Sequence, residues 1–300
     1  MVLRTENSCT ISVAAPVGTG AGQPPGVHKE KHMINMRHET RTRFVRWQVA
    51  LLVVLLISLT SASAGKRKQA KERDAAVATS RFRLGSSYLQ DGDLRRCLSE
   101  FLEAVRLQPR EARFHNGLGQ VYFFLNEYDL AEEHLRRAIK LNPGMSEAHH
   151  NLALLFSDRG DYAAAEESYL AALADPAYLT PEKVYLNWGK TLQRKGEVDA
   201  AEKKIRKALE VNPLYIRGYR ELGRLLEDKG EDAAALEAYL KAYLGIPEHA
   251  ELNLKIGELY LRQGSADQAR RYLQKVIDTA PPESSEALRA HAFLQDLAAG

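Results

Sequence analysis

The sequence predicts an all-α fold: a right-handed superhelical solenoid of six helix-turn-helix repeats, closed by a C-terminal cap helix and preceded by an N-terminal apolar helix. Three observations in the 300-residue chain predict it. An apolar residue followed by glycine or alanine recurs six times, at spacings of 34, 34, 36, 34 and 34 residues. A small residue follows each pair at a fixed distance, and a proline closes most units. One such unit cannot bury its own apolar face, so stacked units form a continuous core.

The first 46 residues form a basic leader that is predicted to be disordered. Residues 1–32 are rich in Gly, Pro, Ser and Thr and show no apolar periodicity. Met33 and Met36 precede an arginine cluster, so translation from Met36 and a genuine disordered extension are both open interpretations. Residues 1–73 carry a net charge of +8, whereas residues 74–300 carry −5. This mildly acidic repeat region argues against nucleic acid as a partner.

Residues 47–64 are an uncharged apolar segment, predicted to be the core of a signal peptide or a membrane anchor. Arginines precede it, and the small residues before Gly65 form an acceptable cleavage site. Its strongly apolar part, Val49–Leu59, is shorter than the roughly 20 residues that usually span a bilayer. Basic residues come next in the charged linker 65–77, and positive charge there opposes export of the repeat region. Cleavage, retention as an anchor and burial as a core helix all remain open.

The pattern within each unit explains how its two helices pack. Glycine or alanine on the first helix lets the second helix approach, a small residue on the second helix fills the contact, and bulky residues pack around both. Turn glycines separate the helices, and proline starts the link to the next unit. The predicted packing residues are Gly85, Gly119, Ala131, Ala165, Gly189, Ala201, Gly223, Ala235, Gly257 and Ala269.

The predicted repeat boundaries result directly from this spacing. They are 78–111, 112–145, 146–181 with an insertion, 182–215, 216–249 and 250–283. Residues 284–300 come last as the cap helix. Its inward stripe is predicted to be Ala290, Phe293, Leu294 and Leu297, with Gln295 and Asp296 turned toward water.

Two helices in 34 residues resemble the tetratricopeptide repeat, and the likeness covers residues 78–283. In that family, positions 2, 5, 9, 12 and 13 of each repeat line a concave groove that binds protein segments. The resemblance implies an apolar patch and a basic patch in the groove of this chain. The apolar patch is Phe82, Leu89, Phe123 and Phe124, and the basic patch is Lys183, Lys190, Arg194, Arg217, Arg220 and Arg224. Asn151 and Asn187 occupy equivalent positions in adjacent repeats.

Each of these predicted features has a second interpretation. The apolar patch suits an amphipathic helix or an extended apolar peptide, but Phe82 and Leu89 also fit the core between repeats. The basic patch suits an acidic peptide, but also a solvated face with local salt bridges. The asparagines suit a peptide backbone or local helix hydrogen bonds. The clamp by which cochaperone repeats hold a C-terminal carboxylate is missing, because Phe82 and Ser86 stand in its places.

The sequence carries no recognisable catalytic motif, and the chain is predicted not to be an enzyme. It contains no phosphate-binding loop, nucleophile elbow or metal motif. His149 and His150 are adjacent, so on a helix they point in different directions. Cys9 and Cys97 are too few for a disulfide framework or a metal site. No cofactor, metal or small-molecule substrate is expected, and the partners are predicted to be proteins.

A two-residue insertion between the third and fourth repeats narrows the resemblance. The stretch YLTPEKVYLNWG, in six repeats that come after an export-type segment, resembles the PilW/PilF/Tgl family of type IV pilus biogenesis proteins. Those pilotins help an outer-membrane secretin to reach its membrane and assemble. The resemblance therefore implies a secretin or another pilus-assembly component as the partner.

One feature departs from that family. Pilotins usually carry a cysteine directly after the apolar segment, whereas this chain has LTSASAGK there, so lipid attachment is not available at that position. We expect an exported protein, either periplasmic or held to the membrane through residues 47–64 and facing the periplasm. The alternative function is a membrane-anchored scaffold for another envelope complex, such as polysaccharide export or cell-wall assembly.

Overall fold

The computed structural model describes the backbone of residues 27–299 and the side chains of residues 43–57 and 65–298. These residues form thirteen α-helices and no strand, which confirms the predicted all-α class. The helices are α1 (Val27–Gln90), α2 (Leu94–Leu107), α3 (Ala112–Phe124), α4 (Tyr128–Leu141), α5 (Ser146–Asp158), α6 (Tyr162–Ala172), α7 (Pro181–Lys195), α8 (Val198–Val211), α9 (Ile216–Asp228), α10 (Asp232–Tyr243), α11 (Ala250–Arg262), α12 (Ala266–Thr279) and α13 (Ser285–Ala299). The chain divides into two compact units, Met1–Lys71 and Glu72–Gly300.

The first unit contains the predicted leader and apolar segment. Helix α1 begins at Val27, so residues 27–46 of the leader are helical where disorder was expected. Two prolines and a glycine come just before this start, and no other proline occurs until Pro109, so nothing in the sequence interrupts the helix. Residues 1–26 and the side chains of the candidate cleavage site lie outside the described residues. In the described part of the chain, no helix is long and apolar enough to cross a membrane.

The second unit is built from helix pairs that match the predicted repeat. From α3 to α12, each first helix packs on the second helix that comes after it, and consecutive pairs contact one another. In the first pair, the Phe82 ring of α1 stacks on Phe101 of α2 with ring centroids 4.7 Å apart. The pairs therefore share a core that runs from repeat to repeat, as the solenoid prediction requires.

Glycines on the first helices allow the two helices of a repeat to approach closely. A Cβ atom added at Gly119 would lie 2.5 Å from Cγ of Leu135, and one added at Gly223 would lie 2.6 Å from the Tyr239 ring. Contacts this short do not occur between packed carbon atoms, so a larger residue at either position must displace the facing side chain or the helix that carries it. Gly85, Gly189 and Gly257 are crowded in the same way. The facing small residues Ala131, Ala165, Ala201, Ala235 and Ala269 are fully buried.

The turn inside each repeat needs a residue with a left-handed backbone. Gly92, Gly160, Gly196, Gly230 and Gly264 have φ angles between 71° and 89° at this place. The second repeat uses Asn126 instead, with φ of 61°. Asparagine is one of the few residues with a side chain that tolerates this conformation, so the turn survives without glycine.

Polar side chains fix the links between repeats. The Nε2 atoms of His115 and His149 lie 3.1 Å and 2.9 Å from the carbonyl oxygens of Pro109 and Pro143. Asn253 donates from Nδ2 to the carbonyl oxygen of Pro247 at 2.8 Å. In three repeats, therefore, a side chain of the first helix pairs with the carbonyl oxygen of the proline in the link before it.

Helix α13 closes the C-terminal end of the core as predicted. Ala290 is fully buried against Leu273 and its neighbours, and Phe293, Leu294 and Leu297 are half-buried on the same cluster. Gln295 and Asp296 are exposed. The polar outer face of this helix replaces the next repeat, which is the role of a capping element in a solenoid.

Candidate protein-binding groove

The first helices of the repeats, from the C-terminal part of α1 through α3, α5, α7, α9 and α11, carry the residues predicted to line the groove. At the C-terminal end of α3, the Phe124 side chain is 49% exposed, and Phe123 is half-buried beside it. Their ring centroids lie 5.8 Å apart, and Phe123 also contacts Tyr128 at 6.0 Å. Two adjacent aromatic rings, one of them solvent-exposed, therefore form an apolar surface at the end of α3.

Phe82 and Leu89 are half-buried against the core between the first two repeats. Phe82 stacks on Phe101 and packs against Phe114, with a centroid distance of 5.0 Å for the second pair. Gly117 makes room for it, since a Cβ there would lie 2.7 Å from the Phe82 ring. Leu89 packs on the same apolar cluster. Of the four residues of the predicted apolar patch, Phe124 is the one with an exposed side chain, and Phe123 beside it is half-buried.

The two predicted asparagines join neighbouring first helices. Asn151 donates from Nδ2 to Oδ1 of Asn116 on the preceding repeat at 3.0 Å. Asn187 lies 2.8 Å, through Nδ2, from Nε2 of His150. Because Asn187 donates this hydrogen bond, His150 accepts it and carries its own proton on Nδ1. Burial lowers the pKa of His150 to about 4, so the ring is neutral near pH 7.

Most of the predicted basic patch is paired with carboxylates of the same or adjacent repeats. The pairs are Lys190–Glu221 (3.4 Å), Arg194–Asp158 (2.5 Å), Arg220–Glu251 (3.1 Å) and Arg224–Glu221 (3.1 Å). This part of the surface is therefore a mixed ladder of opposite charges, which matches the interpretation as a face with local salt bridges. An acidic peptide would have to compete with these carboxylates for the basic side chains.

The carboxylates that pair with these basic residues were not predicted, although their spacing in the sequence indicates them. Lys190–Glu221, Arg220–Glu251 and Arg289–Glu258 each join residues 31 positions apart. An offset of 31 residues equals the 34-residue repeat minus about one helical turn. Two residues at this offset therefore lie on the same face of the first helices of adjacent repeats. Opposite charges at this offset are the pattern that would have predicted the ladder.

Two residues of the basic patch keep a free charge. Lys183 and Arg217 are both exposed, at the second position of repeats four and five. No carboxylate lies within ion-pair distance of either one among the residues that the structure describes. These two cations, and not the full set of six, are the positive charges available to a partner.

The remaining reactive side chains offer little chemistry. Cys97 is buried, and desolvation together with Asp93 raises the pKa of its thiol to about 11, so the reactive thiolate is scarce near pH 7. His115 and His134 face each other with their Nδ1 atoms 3.0 Å apart, and burial lowers both pKa values. Among the described residues, no group of three or more His, Cys, Asp or Glu side chains is placed to hold a metal ion.

A family model of the tetratricopeptide repeat matches residues 82–146, 122–179, 186–250 and 233–285. The chain belongs to the tetratricopeptide-repeat family. Membership confirms the resemblance inferred from the 34-residue spacing, and it establishes a repeat fold that is usually non-enzymatic and binds protein partners.

Among curated proteins, this tetratricopeptide-repeat chain is similar to the type IV pilus assembly protein PilF of Pseudomonas aeruginosa, with 27% identity over 64% of this chain and 77% of PilF. It is also similar to the CTR9 homolog of Arabidopsis thaliana (28% identity over 59% of this chain) and to the human protein O-mannosyl-transferase TMTC1 (25% identity over 64%). The chain spans only 17% and 21% of the length of those two relatives.

Solved structures of pilus proteins share the fold. The crystal structure of PilW, a type IV pilus biogenesis factor, matches with a TM-score of 0.62 and 23% identity, over 71% of this chain and 97% of PilW. The structure of PilF from Pseudomonas aeruginosa matches with a TM-score of 0.60 and 22% identity, over 73% and 98%. At these identities the likeness establishes a common arrangement of helices.

Proposed function

We propose that this chain is a non-catalytic scaffold of the bacterial cell envelope that assists type IV pilus biogenesis by binding a segment of a pilus-assembly protein, such as an outer-membrane secretin. The exposed Phe124 beside Phe123 is the observation that carries the proposal, because this aromatic surface lies at positions that line the groove in the repeat family. The similarity to PilF, which covers 77% of that protein, favours a pilus partner over an unrelated one.

The proposed ligand is an apolar segment flanked by acidic residues. The aromatic pair would bury its apolar side chains, and aromatic residues dominate the energetics of protein interfaces. Lys183 and Arg217 would attract the acidic flank, since both are exposed and unpaired within the described part of the chain. Such rim charges act mainly on the association rate and on its salt dependence.

The proposed location is the periplasm, either as a soluble protein or as one anchored through residues 47–64. Arginines before an uncharged apolar segment support export. The sequence LTSASAGK after that segment lacks the cysteine that carries the lipid in pilotins, and this favours a second candidate function. In that case the chain organises another envelope complex, such as one for polysaccharide export or cell-wall assembly.

Capture of the chain from its own host tests the proposal. The tagged protein would be extracted with mild detergent, and the co-purifying proteins would be identified by mass spectrometry. We expect a secretin or another pilus-assembly protein, lost with Phe124→Ala because truncating a central aromatic side chain typically removes about 2 kcal/mol or more of binding energy.

The control is Leu130→Ala, which removes a side chain that is 39% exposed on the second helix α4. It is expected to leave the capture unchanged. Recovery of polysaccharide-export or cell-wall proteins in place of pilus proteins would support the second candidate and reject the first.

A further inference from the structure

A cavity of about 320 Å³ lies on the side of the second helices, between α8, α9 and α10. Its apolar lining comes from Leu209, Leu222, Leu226, Ala234 and Ala238. Because these residues belong to the second helices of repeats four and five and to the core-facing side of α9, the cavity is separate from the predicted groove. Its volume is at the lower end of the range for ligand pockets.

The internal repeat explains why this cavity exists. The residues 34 positions after Leu209, Leu226 and Ala238 are Tyr243, Tyr260 and Tyr272. In repeat six, Tyr272 fills the equivalent place. Its ring lies 5.3 Å from that of Tyr243, edge to face, and 5.6 Å from that of Tyr260, stacked. The cavity is therefore lined by two leucines and an alanine where the equivalent place one repeat further along has three aromatic rings.

Two other repeats also fill this place with a large side chain at the position of Ala238. In the second repeat His134 stacks on Tyr122, with centroids 5.5 Å apart. In the fourth repeat the Lys204 ammonium lies 3.2 Å from the centre of the Trp188 ring. Ala238 is buried but ends at Cβ, so the volume that these side chains occupy elsewhere is left open in repeat five.

The rim of the cavity is polar and solvent-accessible. Arg206, Glu210, Glu237 and Lys241 surround its opening, with side chains that are 51–71% exposed. Each one forms an ion pair at the surface of its own helix, and such pairs are weak enough to open for a ligand. The wall is the Tyr219 ring, which has the Lys241 ammonium 5.7 Å from its centre.

We propose that this cavity binds a tyrosine side chain of a protein partner. The ring would take the place that Tyr272 fills in repeat six, and the phenol hydroxyl would meet charged donors and acceptors at the rim. Tyrosine fits this combination because it has an apolar body and a polar tip that needs a hydrogen bond when buried. The chain would then have a second binding surface, on the second helices, that does not depend on the groove.

Titration of the full chain with N-acetyltyrosinamide tests this proposal. The chain would carry labelled leucine methyl groups, and binding would be monitored by NMR. We expect saturable shifts of the Leu209 and Leu226 methyl signals, and binding at least threefold weaker for N-acetylphenylalaninamide, which lacks the hydroxyl. Ala238→Tyr should fill the cavity from inside and weaken binding at least tenfold, while Gln274→Tyr, which adds the same ring at an exposed site on α12, should leave binding unchanged.

The wild-type titration decides the question even if Ala238→Tyr does not fold. Absence of shifts at Leu209 and Leu226 in the wild-type chain would overturn the proposal. Binding that persists unchanged in a folded Ala238→Tyr variant would overturn it as well, since the ligand would then occupy another place.

Discussion

Gly189→Val is expected to destabilise the repeat unit by about 3 kcal/mol, the upper part of the usual cost of overpacking a core. A Cβ at this position would lie 2.7 Å from Cγ1 of Ile205 and 3.0 Å from the carbonyl oxygen of Ala201. The second contact is with backbone, so no side-chain rotation relieves it. Helix α8 would have to move away from α7 in the centre of the solenoid. The free energy of unfolding, measured by urea denaturation, gives the loss.

Gly144→Val is the matched control, because the same substitution is made where the chain has room. The nearest atom to a Cβ at Gly144 is Oδ1 of Asn142, 3.8 Å away. We expect a change within about 0.5 kcal/mol, as for most surface substitutions. If both variants lost the same free energy of unfolding, the replacement of glycine by a β-branched residue would be the cause, and not the close approach of α7 and α8.

Glu227→Ala is expected to cost about 2 kcal/mol at pH 7, because it removes hydrogen bonds between charged groups. The Glu227 side chain is only 12% exposed and accepts hydrogen bonds from Lys255 at 3.2 Å and Arg262 at 2.5 Å. Its other oxygen accepts one from the Tyr239 hydroxyl at 3.2 Å. These contacts join repeats five and six, so their loss loosens the C-terminal end of the solenoid. Urea denaturation at several pH values measures the cost.

The effect of Glu227→Ala should depend on pH. Burial opposes ionisation of Glu227, but the hydrogen bonds from Arg262 and Lys255 outweigh it and lower the pKa of the carboxyl group. A carboxyl group with a lowered folded-state pKa stabilises the fold above its unfolded pKa of about 4.3, and this stabilisation is lost as the pH falls through the folded value. The stability difference between the parent and the variant should therefore begin to shrink as the pH falls below about 4.3, and it should be lost only below the lowered pKa of the folded protein.

Glu210→Ala provides the control for this pH dependence. Glu210 pairs with Lys207 on the surface, where the two side chains are 65% and 50% exposed. Such a pair adds little to stability, because both charges remain solvated at the surface. If Glu210→Ala were as costly as Glu227→Ala, the burial of Glu227 would not be the cause of its contribution.

The repeat architecture could be predicted because the residues that pack the two helices of a repeat together recur at a fixed spacing in the sequence. Gly119 and Leu135, and likewise Gly223 and Tyr239, contact each other because the helix pair brings positions 16 residues apart together. The helical start of the leader at Val27 was not predicted, since residues 27–46 lack apolar periodicity before the apolar segment. Helix formation there needs only the absence of a breaker, which a search for amphipathic patterns does not detect.

The groove could be predicted only in part. The position of a residue in its repeat predicts whether it lies in the groove, but contacts with adjacent repeats determine whether its side chain is exposed and its charge unpaired. Phe82 has the right position, but Gly117 on α3 leaves space for its ring, which packs half-buried against Phe114. Lys190 and Arg220 have the right charge, but Glu221 and Glu251 neutralise them. The cavity at Ala238 could not be predicted, because it results from a small residue where other repeats have a large one. It is recognised only when Ala238 is compared with Tyr272, which fills the equivalent place in repeat six.

The most direct test of the proposed partner-binding groove is photo-crosslinking in the native host from position 124. A photoreactive phenylalanine analogue would replace Phe124 on the first helix α3, and the same analogue would replace Leu130 on the second helix α4 as the control. We predict a crosslink from position 124 to a secretin or another pilus-assembly protein, and none from position 130. A crosslink to the same partner from position 130 alone, or no protein crosslink from position 124, would contradict the proposal that the groove of first helices binds the partner.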